Sequence, residues 1–129
     1  MMATIAITTA NLEEQLAKRG LLLLDFWADW CGPCKAFAPV YEALSEERPD
    51  VIFGKVDTEA EPGLAAAAGI HAIPTLAAFK DGTLVFFQAG ALPRPALTDV
   101  VEQLSALDAD QVRAAAKAHP DHAPHLMPE

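Results

Sequence analysis

The chain has few cysteines, few basic side chains and no long apolar run, and each shortage excludes a class of protein. Its 9 Lys and Arg residues are outnumbered by 18 Asp and Glu residues. The formal net charge of −9 argues against binding to nucleic acid or to an anionic membrane. The apolar run at residues 21–24 is far shorter than the roughly 18 residues that span a bilayer. The N-terminus lacks a basic segment followed by an apolar one, so we expect no secretory signal and a cytoplasmic protein.

The two cysteines, Cys31 and Cys34, are three positions apart, which makes a structural role unfavourable. A bridge across so short a loop stabilises a fold by roughly 2 kcal/mol, against nearly 5 kcal/mol for a loop of about 100 residues. A zinc site would need two further ligands. The candidates are His71, His119, His122 and His125. The tail spacing beyond Pro120 does not suit one helix face, so we expect no metal site and a reactive cysteine pair instead.

The apolar pattern predicts an α/β domain, and 129 residues suit one hydrophobic core. Predicted strands cover residues 4–8, 21–27, 51–57, 75–80 and 83–88. Predicted helices cover residues 11–20, 33–47, 62–68, 95–107 and 109–118, with Pro39 expected to kink the second. The order β-α-β-α-β-α-β-β-α predicts a central mixed sheet with helices on both faces, parallel strands first and an antiparallel hairpin at Asp81-Gly82. Residues 1–107 would form the domain, and 108–129 a C-terminal extension with a short helix followed by a flexible tail.

The cysteine pair lies where a predicted helix begins, and this position favours a thiolate. Unpaired N–H groups and the helix dipole stabilise negative charge at a helix start, and only the thiolate attacks a disulfide. Pro33 stiffens this first turn. Cys34 lies within the turn and is expected to be more buried than Cys31, so Cys31 would attack and Cys34 would resolve the mixed disulfide.

Asp25 follows four leucines on a strand that is predicted to be buried. Burial should raise the pKa of this carboxyl, which would make it a proton acceptor for Cys34 near neutrality. The alternative is an Asp at the strand end that accepts a hydrogen bond from a loop N–H. The residues alone leave both possibilities open.

Residues 24–35, LDFWADWCGPCK, resemble the active-site signature of the thioredoxin family. Three later motifs match that family in the same order, so that the resemblance covers roughly residues 4–107. These motifs are Ile73-Pro74-Thr75, Phe79-Lys80-Asp81-Gly82 and Gly90-Ala91-Leu92. The resemblance implies the thioredoxin fold and a redox-active Cys31–Cys34 disulfide.

The resemblance also implies residue roles. Cys31 would be the nucleophile, Cys34 the resolving thiol and Asp25 the buried proton-transfer acid, with Lys55 nearby. Pro74 would be a cis-proline beside the disulfide. The substrate-docking surface would comprise Trp30, Gly32, Pro33, Ile73, Pro74, Gly90 and Ala91. His71 and Ala72 depart from the family pattern at this surface and leave substrate preference open.

The activity that the resemblance implies is protein-disulfide reduction, in electron transport and cell redox homeostasis. Gly32-Pro33 between the cysteines resembles the reducing members, with a potential of about −270 mV. Such a protein reduces disulfide-containing proteins, holds no cofactor of its own, acts as a monomer and is recharged by an NADPH-dependent thioredoxin reductase. Two alternatives remain: a binding module attached through residues 108–129, and a dedicated reductant of one enzyme such as a peroxiredoxin or a methionine sulfoxide reductase.

Overall fold

A five-stranded mixed sheet organises residues 3–118, the part of the chain that the computed structural model describes. The strands are β1 (Ile5–Ala6), β2 (Leu21–Trp27), β3 (Ile52–Asp57), β4 (Thr75–Lys80) and β5 (Thr83–Ala89). The helices are α1 (Leu12–Leu16), α2 (Gly32–Glu47), α3 (Pro62–Ala67), α4 (Arg94–Ser105) and α5 (Ala109–Ala118). The predicted order of elements is confirmed. The predicted flexible tail and its histidines, His119, His122 and His125, lie outside the described residues.

The strands lie in the order β1-β3-β2-β4-β5. β3 pairs with β1 and β2 in parallel, whereas β4 pairs with β2 and β5 antiparallel, so the predicted mixed sheet is confirmed. Asp81 and Gly82 join β4 to β5 with φ values of 51° and 83°. Positive φ at both positions suits the tight turn of a two-residue hairpin.

Three elements end two or more residues earlier than predicted: β1, which covers Ile5–Ala6 rather than residues 4–8, α1 and α4. α1 ends at Leu16 rather than near Gly20, because the Lys18 N–H donates to the Gln15 carbonyl and tightens the chain there. α4 ends at Ser105 rather than at 107. At this end of the helix the Lys80 ammonium donates to the carbonyls of Leu104 and Ser105 at 3.0 and 2.6 Å. α2 continues through Pro39, whose ring lies on an exposed position of the helix.

Each face of the sheet has its own core. One face packs α2, α4 and α5 against odd-numbered positions of β2, and it holds Leu23, Tyr41, Phe53 and Leu97. The other face packs α1 and α3 against even-numbered positions. Its members include Leu22, Leu24, Phe26 and Leu64. Asp25 follows the odd alternation, so its carboxyl lies beneath α2.

The extension begins with α5, which packs on the first of these cores. Asp108 Oδ1 accepts the Gln111 N–H at 2.8 Å, and Gln111 Oε1 accepts the Asp108 N–H at 2.9 Å. This reciprocal pair is a capping box, which satisfies backbone donors at a helix start. Val112 is buried in the same cluster as α4. In residues 3–118 no helix is long and apolar enough to cross a membrane.

Gly54 lies where β1, β2 and α2 converge, and we expect Gly54→Ala to destabilise the fold. A Cβ at this position would lie 2.6 Å from Ile7 Cγ1 and 3.1 Å from Leu24 Cδ2. Overpacking of this kind costs about 1–3 kcal/mol, which urea denaturation of the variant would measure.

The matched control is Gly63→Ala, because a Cβ at Gly63 meets no atom within 4 Å. That change lies within α3 and should leave the free energy of unfolding unchanged or raise it by up to about 1 kcal/mol. Equal stability of the two variants would contradict the close packing at Gly54.

Candidate active site

Cys31 occupies the N-cap of α2, where the loop after β2 turns into the helix. Its Sγ accepts the backbone N–H of Cys34 at 3.1 Å and lies 3.7 Å from the carbonyl oxygen of Ile73. Pro33 stands in the first turn and contributes no N–H of its own. A negative charge on Cys31 Sγ would therefore face a backbone donor and the positive end of the helix dipole.

Cys31 and Cys34 are joined by a disulfide, with their Cα atoms 5.2 Å apart. Each residue is 4% exposed, so the prediction that Cys34 is the more buried of the two is wrong. The reason is tertiary: the Ile73 carbonyl lies against Cys31 from another part of the chain. The two sulfurs differ instead in their surroundings, since Cys31 contacts the Ile73 segment and Cys34 lines a separate, partly open cavity.

An open groove of about 420 Å³ lies beside Cys31 and contains part of the predicted docking surface. Its lining comprises Trp30, Thr58, Ala65, Ile70, His71, Ala72 and Ile73. Trp30 is 69% exposed, which is unusual for so large an apolar side chain. The groove is therefore a mostly apolar surface next to the disulfide.

The other residues predicted for docking are not among those that line the groove. The Ile73–Pro74 peptide bond is cis, and the Pro74 carbonyl accepts the Gly90 N–H at 2.8 Å. This hydrogen bond ties the loop after β5 to the loop before β4. Gly32, Pro33 and Ala91 are all exposed.

Asp25 is 1% exposed on β2, with apolar neighbours on both sides in the chain. Burial raises the pKa of Asp25 to about 7; the Lys55 charge opposes this rise and the Glu42 charge adds to it. Asp25 Oδ1 is buried and has no hydrogen-bond partner among the described residues. The alternative of a hydrogen bond from a loop N–H is therefore unsupported at this oxygen, and the carboxyl can gain or lose a proton near neutral pH.

A small, partly open cavity lies beside Cys34 and reaches Lys55, although Asp25 is not among its lining residues. It measures about 110 Å³ and is lined by Trp27, Ala28, Asp29, Cys34, Lys35, Ala38 and Lys55. Lys55 is the register partner of Asp25 on the parallel neighbour β3. The volume has room for water, so a proton could pass between Cys34 and this cluster without direct contact.

Glu42 is the site residue that the sequence analysis missed. Its Oε1 lies 3.7 Å from the Lys55 ammonium, which also lies 5.2 Å from the centre of the Trp27 ring. A signal existed, because Glu42 follows Cys34 and Ala38 at steps of four and so lies on the same helix face. In residues 3–118 no group of three or more His, Cys, Asp or Glu side chains is placed to hold a metal ion.

The chain is similar in sequence and in structure to known thioredoxins. The thioredoxin family model matches residues 3–103. The putative thioredoxin 2 of Streptomyces coelicolor is 52% identical over 115 residues, covering 89% of this chain and 86% of that protein. Thioredoxin 1 of Synechococcus elongatus is 36% identical over 105 residues, covering 80% of this chain and 98% of that protein. The solved structure of a mutant thioredoxin from Halobacterium salinarum matches with a TM-score of 0.74 and 34% identity, covering 81% of this chain and 92% of that one.

These matches cover the whole sheet and the cysteine pair, and they confirm the predicted fold. The relatives are thiol–disulfide oxidoreductases, and this chain retains the Cys-x-x-Cys pair at disulfide distance. The chain therefore belongs to the thioredoxin family and is a thiol–disulfide oxidoreductase.

Proposed function

We propose that the chain works as a protein-disulfide reductase in which Cys31 attacks and Cys34 resolves. The observation that carries this assignment is the different setting of the two sulfurs. Cys31 lies at the helix N-cap beside an open apolar groove, where a substrate disulfide can approach. Cys34 lines a separate small cavity together with Lys55, the register partner of Asp25.

The reaction balances as two thiol–disulfide exchanges. The Cys31 thiolate attacks one sulfur of the substrate disulfide, and the other substrate sulfur leaves as a thiolate that takes up a proton. Cys34 then loses its proton and attacks Cys31 Sγ, which releases the second substrate sulfur. The substrate has gained two electrons and two protons, and the protein is left with the Cys31–Cys34 disulfide.

Asp25 is the proposed acceptor for the Cys34 proton. A pKa of about 7 suits a group that must take a proton and return it under neutral conditions. Lys55 stands beside this acid in the register of the sheet and lines the same small cavity as Cys34, which has space for water. Asp25 and Lys55 thus serve the resolving step, not the first attack.

Substrate docking is assigned to the groove and its rim. Trp30 supplies exposed apolar area, and Ile73 and Pro74 offer backbone to an extended substrate segment, as in strand addition. Gly32, Pro33, Gly90 and Ala91 would complete the surface without bulky side chains. His71 and Ala72 line the same groove region and would adjust which substrates fit.

The remaining assignments concern partners, location and extent. An NADPH-dependent thioredoxin reductase would return electrons to the Cys31–Cys34 disulfide, so the chain needs no cofactor of its own. We place the protein in the cytoplasm, because the Gly32-Pro33 pair resembles that of reducing family members and suits a reductant kept in a reducing compartment. We also propose that it acts as a monomer. Residues 1–107 would carry the activity, and 108–129 would form an extension that reduction does not need.

Reduction of insulin by dithiothreitol tests the proposed activity. We expect micromolar amounts of the protein to shorten the delay before insulin precipitates severalfold, because Cys31 offers a more reactive thiolate than the small thiol. A chain ending at residue 107 should act equally well if it remains folded. A rate equal to that of dithiothreitol alone would contradict the proposed reductase function.

A further inference from the structure

The Lys55 side chain contacts two groups other than its strand neighbour Asp25. Its ammonium forms an ion pair with Glu42 of α2 at 3.7 Å and lies over the Trp27 ring at 5.2 Å. In the described part of the chain, no ion pair within 4.0 Å joins Lys55 to Asp25, although the two residues are register partners. The lysine thus has two carboxylates within reach, and it pairs with Glu42.

Which carboxylate pairs with Lys55 matters, because a buried carboxylate in direct contact with an ammonium stays ionised. An opposite charge at close range favours the ionised form of an acid, and a group held in that form is a weak proton acceptor. Glu42 has a partly buried side chain, 25% exposed, and that of Lys55 is 18% exposed, so bulk water screens their attraction only in part. Glu42 can therefore compete effectively for the ammonium.

We propose that Glu42 is a positioning residue for proton transfer at Asp25, because it draws the Lys55 ammonium toward α2 and prevents a closed Asp25–Lys55 ion pair. Glu42 touches neither the cysteines nor the substrate groove; it acts through Lys55. The proposal rests on the proposed role of Asp25 in the resolving step. It adds a third charged residue to that step and explains why a polar side chain occupies the helix face that carries Cys34 and Ala38.

Other groups near Asp25 come from each element packed against it. From α2, Tyr41 donates its hydroxyl to the Gly54 carbonyl at 2.8 Å, while Cys34 and Lys35 line the small cavity. From β4, the register partner of Asp25 is the apolar Leu76. From β3, Asp57 shares a second, larger cavity with Glu42 and Lys55. The Tyr41 hydroxyl is engaged with backbone and Lys35 is exposed, so Lys55 is the partly buried cation beside the acid.

The test is a titration of the Asp25 carboxyl, followed by its carbon-13 chemical shift in the oxidised, substrate-free protein. Glu42→Gln should lower the midpoint by about half a pH unit or more, because the released ammonium closes on Asp25. Lys55→Met should raise the midpoint. Glu42→Gln in the Lys55→Met background should move it by less than half as much, because the residue through which Glu42 acts is gone.

The controls separate positioning from simple charge removal. Glu46→Gln removes the same charge one turn further along α2 and should leave the midpoint unchanged. Glu42→Asp should restore part of the wild-type value. An unchanged midpoint in Glu42→Gln, or an equal displacement with and without Lys55, would overturn the proposal. Because the titration needs no turnover, an inactive protein would contradict the proposed function and leave this result standing.

Discussion

A Cys34→Ser variant is expected to accumulate as a covalent adduct in which Cys31 is joined to a substrate cysteine. The variant retains the attacking thiol at the helix N-cap but lacks the group that displaces the substrate from Cys31. Its multiple-turnover reduction of insulin should fall by about three orders of magnitude or more, whereas the first attack should proceed. Non-reducing electrophoresis and mass spectrometry of the trapped species measure both effects.

Cys31→Ser is the matched control, because it also leaves a single thiol. Cys34 does not line the apolar groove, so this variant should lose turnover and trap no adduct. Equal trapping by both variants, or trapping by Cys31→Ser alone, would reverse or remove the assigned roles. The identity of the captured partners also distinguishes a general reductant, which would hold many proteins, from a dedicated one, which would hold one.

An Asp25→Asn variant is expected to be more stable than the wild type at pH 8 and to lose the advantage at acid pH. Burial raises the pKa of Asp25 from 3.8 to about 7, so the folded protein holds this proton more tightly than the unfolded chain does. The corresponding stabilisation is complete below about pH 4 and disappears as the pH rises through about 7. Above that pH the wild type buries a charge at a cost of about 4 kcal/mol, which the amide avoids.

Urea denaturation of both oxidised proteins between pH 4 and pH 8 measures the difference. The difference in the free energy of unfolding, variant minus wild type, should increase by several kcal/mol from pH 4 to pH 8. The difference between the folded and unfolded pKa of Asp25 sets the largest possible increase. The amide still needs hydrogen bonds that the site does not offer, which lowers its advantage at every pH equally. Parallel pH profiles for the two proteins would mean that Asp25 does not titrate as the structure indicates. The resolving step should also slow, because the variant has no proton acceptor at this position.

Local signals predicted much of the fold. Three features depend on residues that are neighbours in sequence, and all three lie within about one residue of the prediction. They are the apolar run of β2, the Asp81-Gly82 hairpin and the helix that starts at Pro62. The bounds of α5 match the prediction for the same reason. α1 departs from its prediction because so short a helix has little intrinsic stability, and tertiary contacts decide where it ends.

The same distinction applies to the active site, where some features follow from adjacent residues and others from contacts between residues distant in sequence. The helix start at Cys31 and the buried position of Asp25 follow from adjacent residues. The equal burial of the cysteines depends on the Ile73 carbonyl, which is 42 positions from Cys31. The ion pair of Glu42 with Lys55 joins a helix to a strand, and a single sequence contains no measure of that distance.

The two edges of the sheet differ in how readily they could pair with another chain. β1 offers two residues at one edge, and so short an edge gives a foreign strand little to pair with. β5 offers seven residues at the other edge and contacts α5. Detachment of the extension would expose apolar side chains of the core, such as Val85, beside the longer edge, and self-association would begin at β5. In this protein the segment after α4 would then protect solubility, a property that a test of reductase activity alone does not detect.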